Sequence, residues 1–136
     1  MTQPTNAFSA AQAYRSASVS VSPLSAIVML LDGAITSLQK TMDACDKKLY
    51  EESHGHLIKA TSIIRGLIHH LNFDKGGELA ERLHSTYHSL ILCSLTSFGR
   101  PDANERYSKV IRGLAELRDA WKFVAAIAGE KPKKAH

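Results

Sequence analysis

Histidines are the residues with which this chain could bind a metal ion or move a proton. His84 and His88 are four residues apart, so within a helix they share one face, as pairs of metal ligands do. Carboxylates are missing, however, from the apolar helix faces where a metal centre inside a helical bundle needs them. The chain also has no glycine-rich phosphate loop and no nucleophile elbow. We therefore predict a protein that is not an enzyme and that uses no metal and no cofactor.

Asp32 and Gly33 interrupt a stretch that is otherwise apolar, and glycine is unfavourable inside a helix. Two interpretations remain open from the sequence. Gly33 could allow close approach of another helix or of a bound peptide. Alternatively, Asp32 faces solvent and Gly33 only eases the packing between helices.

The element that carries Asp32 is a helix with more apolar surface than a small core requires. Ser22 can cap its first turn, and Pro23 suits the first helical position because proline has no N–H to leave unpaired. Seven apolar residues then recur at spacings of three and four, which predicts one buried stripe: Leu24, Val28, Leu31, Ile35, Leu38, Met42 and Cys45. Ile27, Leu30 and Ala34 widen this stripe, and we expect these three to face a partner.

Three further helices have the same spacing of three and four. They are predicted from about 50 to 71, 78 to 98 and 103 to 128, with glycine-containing breaks before the second and third of them. The apolar stripe of the first of these helices ends at Leu71. The stripe of the second runs from Leu79 through Tyr87 to Ser94, and that of the third runs from Tyr107 through Trp121 to Val124 and Ala128. Four helices with short connections predict an all-α, antiparallel up-down-up-down four-helix bundle over residues 22–128.

The two ends of the chain have a different composition from the bundle. Residues 1–21 are polar and contain too few large apolar groups to fold alone, so we predict a mobile N-terminal arm with Tyr14 and Val19 as docking residues. Residues 129–136 are predicted to form a flexible basic tail.

Charge and hydropathy exclude other classes of function. The net charge is +4, and it is concentrated in the three lysines of the C-terminal tail. No helix carries a continuous basic face, so we expect no nucleic-acid partner. No apolar run approaches the roughly 20 residues needed to cross a bilayer, which predicts no stable membrane insertion. Two cysteines inside helical patterns are typical of buried thiols in a reducing cytoplasm.

Taken together, these segments resemble the flagellin export chaperone family (FliS) over residues from about 10 to about 125. The similarity rests on four features in the family's order: Tyr14 followed by Val19, the Ser-Pro opening and Met-Leu-Leu-Asp-Gly-Ala segment of residues 22–35, Gly76-Gly77-Glu78-Leu79-Ala80 continuing to Tyr87, and Leu117-Arg118-Asp119-Ala120-Trp121. Leu31 stands where the family has Tyr or Phe.

The resemblance implies a cytoplasmic chaperone that binds the disordered C-terminal segment of flagellin. Such chaperones prevent early polymerisation and deliver flagellin, as a complex, to the flagellar type III export gate, without using ATP. The partner-binding residues that we predict on this basis are Tyr14, Val19, Leu24, Ile27, Leu30, Leu31, Asp32 and Ala34. The alternative is a generic helical adaptor bundle that binds another amphipathic peptide.

Overall fold

The structure, a computed structural model, describes residues 23–71 and 73–129. These residues form four α-helices: α1 (Pro23–Asp46), α2 (Tyr50–His69), α3 (Phe73–Ser97) and α4 (Ala103–Ile127). The predicted all-α class is confirmed, and the described residues contain no strand. The predictions for the N-terminal arm, with Tyr14, Val19 and the Ser22 cap, and for the basic tail after Gly129 lie outside the described residues.

The helices form an antiparallel bundle in which each helix packs against two neighbours. Helix α1 contacts α2 and α4, and α3 contacts the same two helices from the other side. The Ser53 hydroxyl donates a hydrogen bond of 2.8 Å to the Thr41 carbonyl, which joins the start of α2 to the end of α1. Asn104 at the start of α4 donates to the Asp46 carboxylate at the end of α1, also at 2.8 Å. The up-down-up-down topology is therefore confirmed.

The core consists mainly of the residues that the stripes predicted. Its largest fully buried apolar side chains come from all four helices: Leu31, Leu38, Leu57, Ile64, Tyr87, Tyr107, Val110 and Leu114. Complete burial of such a side chain contributes about 1.5–3 kcal/mol. Buried hydroxyls such as those of Thr41, Thr61 and Ser94 donate to backbone carbonyls one turn earlier, so their burial leaves no donor unpaired.

The structure departs from the predicted stripes where α3 begins and where α4 ends. The predicted break before α3 is instead a helical turn from Phe73 that kinks at Gly77, whose φ of 53° and ψ of −127° are not helical. The helix after Gly77 turns Ala80, Leu83 and Tyr87 towards the core, so Ala80 is buried and its neighbour Leu79 is 61% exposed. At the end of α4, Val124 is exposed and Ala125 is buried in its place.

Candidate functional site

An apolar cleft opens at the end of the bundle where α1 and α3 begin and α2 and α4 end. We call it the terminal cleft; its volume is about 270 Å³. All four helices or their immediate connections contribute to its lining: Ile27, Leu67, His70, Leu71, Gly76, Leu79, Ala80, Leu83, Tyr87 and Trp121. None of these residues except His70 has an acidic or basic side chain. The cleft is therefore suited to apolar side chains of a partner.

Two aromatic residues form the inner wall of the terminal cleft. Tyr87 of α3 is buried, and Trp121 of α4 is half-buried beside it. Burial raises the pKa of Tyr87, and a hydrogen bond with the Trp121 side chain partly opposes that rise. Since an indole nitrogen can only donate, the Tyr87 oxygen is the acceptor. Tyr87 and Trp121 thus bring α3 and α4 together at the base of the cleft.

The backbone around Gly76 and Gly77 shapes the rim of the terminal cleft. A Cβ atom on Gly76 would lie 2.8 Å from the Cβ of Ala80, so the position has no room for a side chain. Gly77 adopts a positive φ that other residues rarely adopt, and the backbone kinks there just before Leu79. The paired glycines thus bring the start of α3 to the rim of the cleft, where Leu79 is exposed.

Exposed apolar side chains continue beyond the cleft over the same end of the bundle. Met29 and Leu30 lie on the first turns of α1, and Leu30 is 37% exposed. Phe123 and Ile127, one turn apart near the end of α4, are 67% and 70% exposed. Clustered exposed apolar side chains of this kind mark interaction surfaces.

The predicted partner-binding residues of α1 fall into two groups. Ile27 lines the terminal cleft, Leu30 is exposed about one turn further along α1, and Leu24 is half-buried. Leu31 and Ala34 are fully buried in the core. The outward position expected for Ala34 is therefore wrong: the 100° step per residue places Ala34 towards the core together with Leu31 and Ile35. Tyr14 and Val19 lie outside the described residues.

The surroundings of Asp32 and Gly33 in the structure distinguish between the two interpretations of these residues. Asp32 accepts a hydrogen bond of 3.0 Å from Arg118 of α4, and this bond, followed by that with Asp119, raises the pKa of Arg118. A Cβ atom on Gly33 would lie 3.6 Å from the Ile63 side chain, which is ordinary van der Waals contact. The geometry favours the structural interpretation, in which Asp32 lies at the surface and Gly33 faces α2 without a close backbone approach.

Sequence reasoning missed the contributions of α2, α3 and α4 to the cleft. It assigned Leu71, Leu83, Tyr87 and Trp121 to the core because they lie on apolar stripes. Periodicity shows which face of a helix is apolar, but it does not show where a neighbouring helix leaves that face uncovered. The available signal was the Gly76-Gly77 pair, which precedes two of these positions, Leu83 and Tyr87, within a few turns.

The histidines that the structure describes do not assemble into a metal centre. The rings of His84 and His88 stack with centroids 6.2 Å apart, and within residues 23–71 and 73–129 no three His, Cys, Asp or Glu side chains form a group that could hold a metal ion. The two Glu-x-x-His spacings of the chain, at 51–54 and 81–84, place all four side chains on the exposed surface. In the same described residues, no helix is long and apolar enough to cross a membrane.

Comparison with known proteins places this bundle and its cleft in a family. The model of the family described as flagellar protein FliS matches residues 6–128, which is nearly the whole chain. No individual curated protein matches the sequence. The family match covers all four helices and every residue that lines the terminal cleft. The chain therefore belongs to the FliS family of flagellar chaperones.

Proposed function

We propose that this chain is a cytoplasmic flagellin export chaperone, which binds the disordered C-terminal segment of flagellin and keeps it from polymerising before export. The same complex would then be delivered to the flagellar type III export gate. The observation that carries the proposal is the FliS family match over residues 6–128. The terminal cleft supports it, because a chaperone of this kind requires an exposed apolar surface for an unfolded segment.

The proposed mechanism is binding coupled to folding. An amphipathic flagellin segment orders as a helix whose apolar side chains enter the terminal cleft and cover the exposed side chains around it. Ordering a disordered segment costs about 2–5 kcal/mol or more of the gross interaction energy. That cost keeps the affinity moderate and allows the cargo to be released at the gate without ATP.

Within α1, Leu24, Ile27 and Leu30 are the proposed contacts with flagellin, while Leu31 and Ala34 support them from the core.

We also propose that the N-terminal arm covers part of the cleft in the absence of flagellin, through Tyr14 and Val19. The position of Ile27 supports this, because it lies in the cleft only four residues after Pro23. The variant Tyr14→Ala should change flagellin affinity or delivery; unchanged affinity in calorimetry together with unchanged motility would contradict it.

The proposed function is tested by co-purification of the chain with flagellin from the same organism. Full-length flagellin should be retained, and flagellin without its C-terminal segment should be lost. Equal retention of both forms, or retention of neither, would contradict the proposal and favour a generic adaptor for another amphipathic peptide.

The contribution of the terminal cleft can be isolated with a pair of matched variants. Leu79→Glu places a carboxylate on the rim of the cleft, and Leu49→Glu places one on an exposed apolar residue at the opposite end of the bundle. Because a carboxylate buried without a partner is costly, we expect Leu79→Glu to weaken flagellin binding by about tenfold or more. Leu49→Glu should leave the dissociation constant unchanged within about twofold, as surface charges contribute little.

A further inference from the structure

A second groove runs between α2 and α3, along the side of the bundle and separate from the terminal cleft. We call it the α2–α3 groove; its volume is about 270 Å³. Its apolar lining comes from both helices: Ile68, Ile91, Leu92 and Leu95. Leu92 is 49% exposed, so apolar surface on this side of the bundle remains open to solvent.

The polar residues that the structure describes in the α2–α3 groove are all basic. Arg65 and His69 contribute from α2, and His84 and His88 contribute from α3. Among the side chains that the structure describes, no Asp or Glu lines the groove; Glu81 of α3 lines a different depression. In the described part of the chain, none of the ion pairs involves Arg65. The Arg65 guanidinium thus lies beside apolar surface, and no described carboxylate of α2 or α3 pairs with it.

This combination of an apolar floor and a basic rim defines the chemistry of a partner. A guanidinium offers paired N–H donors that match the two oxygens of a carboxylate. Imidazole rings donate hydrogen bonds and add positive charge when they are protonated. The span from His84 to Leu95 corresponds to about 16 Å of helix at 1.5 Å per residue, which accommodates about three turns of a partner helix.

We propose that the α2–α3 groove is a second docking surface, which takes an amphipathic segment with Asp or Glu on its polar flank. This inference rests on the proposed function, since in a flagellin chaperone the segment belongs to flagellin. Cargo then contacts the protein at two chemically different surfaces. The terminal cleft takes apolar side chains, and the α2–α3 groove takes apolar side chains that are flanked by carboxylates.

The test uses two double variants that change charge equally on the same two helices. Arg65→Glu with His88→Glu reverses the rim of the α2–α3 groove. Lys59→Glu with Ser89→Glu is the matched control, because both residues are exposed and neither lines the groove. Each double variant replaces one fixed cation and one neutral side chain with two carboxylates.

We expect the groove variant to bind full-length flagellin at least about tenfold more weakly than the wild type in calorimetry at low salt, because like charges then face each other. The control should stay within about twofold of the wild type. Added salt should weaken wild-type binding more than binding by the groove variant, since salt screens exposed charges. Circular dichroism melting of all variants verifies that they fold.

Several outcomes would overturn the inference. An equal loss in both double variants would mean that net charge acts at long range, and no loss in either would mean that the groove is not used. A change in self-association of the groove variant in sedimentation would identify a second copy of this chain as the occupant. If Arg65→Glu with His88→Glu does not fold, Arg65→Gln with His88→Gln takes its place. This variant should weaken flagellin binding by about threefold, and unchanged binding would overturn the inference. Absence of flagellin binding by the wild type would instead refute the proposed function itself.

Discussion

At the scale of single residues, two buried tyrosines of the core differ in what their hydroxyl groups contact. The Tyr87 hydroxyl has the Trp121 side chain as a hydrogen-bond partner, whereas the Tyr107 hydroxyl is buried without one among the described residues. Loss of a satisfied hydrogen bond costs about 1 kcal/mol, and an unsatisfied buried group itself costs about 1–3 kcal/mol. We therefore expect Tyr107→Phe to leave the free energy of unfolding in urea unchanged or to raise it, and Tyr87→Phe to lower it by about 1 kcal/mol. Equal destabilisation by both variants would contradict this assignment.

The Tyr107→Phe variant also tests how the stability of the protein changes at alkaline pH. Burial, with a smaller contribution from Cys45, raises the pKa of Tyr107 to about 12, against about 10 for an unfolded tyrosine. The folded state therefore holds this proton more tightly, and its contribution to stability is complete below pH 10 and is lost as the pH rises towards 12. The free energy of unfolding of the wild type should fall more steeply across this window than that of Tyr107→Phe. Parallel curves would show that Tyr107 does not titrate with folding.

Substitution of Asp32 tests whether this residue has a structural role or binds the partner. Its ion pair with Arg118 lies at the surface, and such pairs contribute about 0–1 kcal/mol. We expect Asp32→Asn and Arg118→Gln each to lower the free energy of unfolding by less than about 1 kcal/mol. Because the structure gives Asp32 an intramolecular partner, flagellin affinity in calorimetry should be the same for both variants. A loss of affinity in Asp32→Asn alone would indicate direct contact between Asp32 and the cargo.

At the scale of the helices, the kink at Gly77 determines the position of the cleft rim. Its φ of 53° and ψ of −127° are strained for any residue with a side chain, at a cost of about 1–3 kcal/mol. Gly66, inside α2, has open space at its Cβ position, so alanine there should stabilise the protein by about 0.5–1 kcal/mol. In thermal unfolding, we expect Gly77→Ala to lower the midpoint and Gly66→Ala to raise it. A stabilised Gly77→Ala variant would show that the kink is not required.

The helices also show how far the sequence determines the fold. Spacings of three and four predicted the core positions of α1 correctly from Leu31 to Leu38, because neighbouring helices cover that face along its length. The same pattern failed at Leu79 and Val124, which lie where helices begin or end. There the ends of the neighbouring helices decide which side chains are covered, and periodicity does not encode where those helices end. The cleft arises from those end effects, so its lining on α2, α3 and α4 could not be read from the stripes.

At the scale of the whole molecule, the four helices leave large apolar residues exposed at one end of the bundle, as is typical of an interaction surface. Leu79, Phe123 and Ile127 are more than half exposed there, and Trp121 lines the adjoining cleft. The chain contains a single tryptophan, so its intrinsic indole fluorescence reports on the environment of this cleft alone.

We predict that the C-terminal segment of flagellin, prepared without tryptophan, shifts the emission of Trp121 to shorter wavelength when it is added to the chain. The reason is that a half-exposed indole loses its remaining contact with water when apolar side chains fill the terminal cleft. Leu79→Glu should reduce the shift at equal peptide concentration, and Leu49→Glu should leave it unchanged. A peptide that binds in calorimetry but does not move the emission would place the cargo on another surface, away from the junction of the four helices.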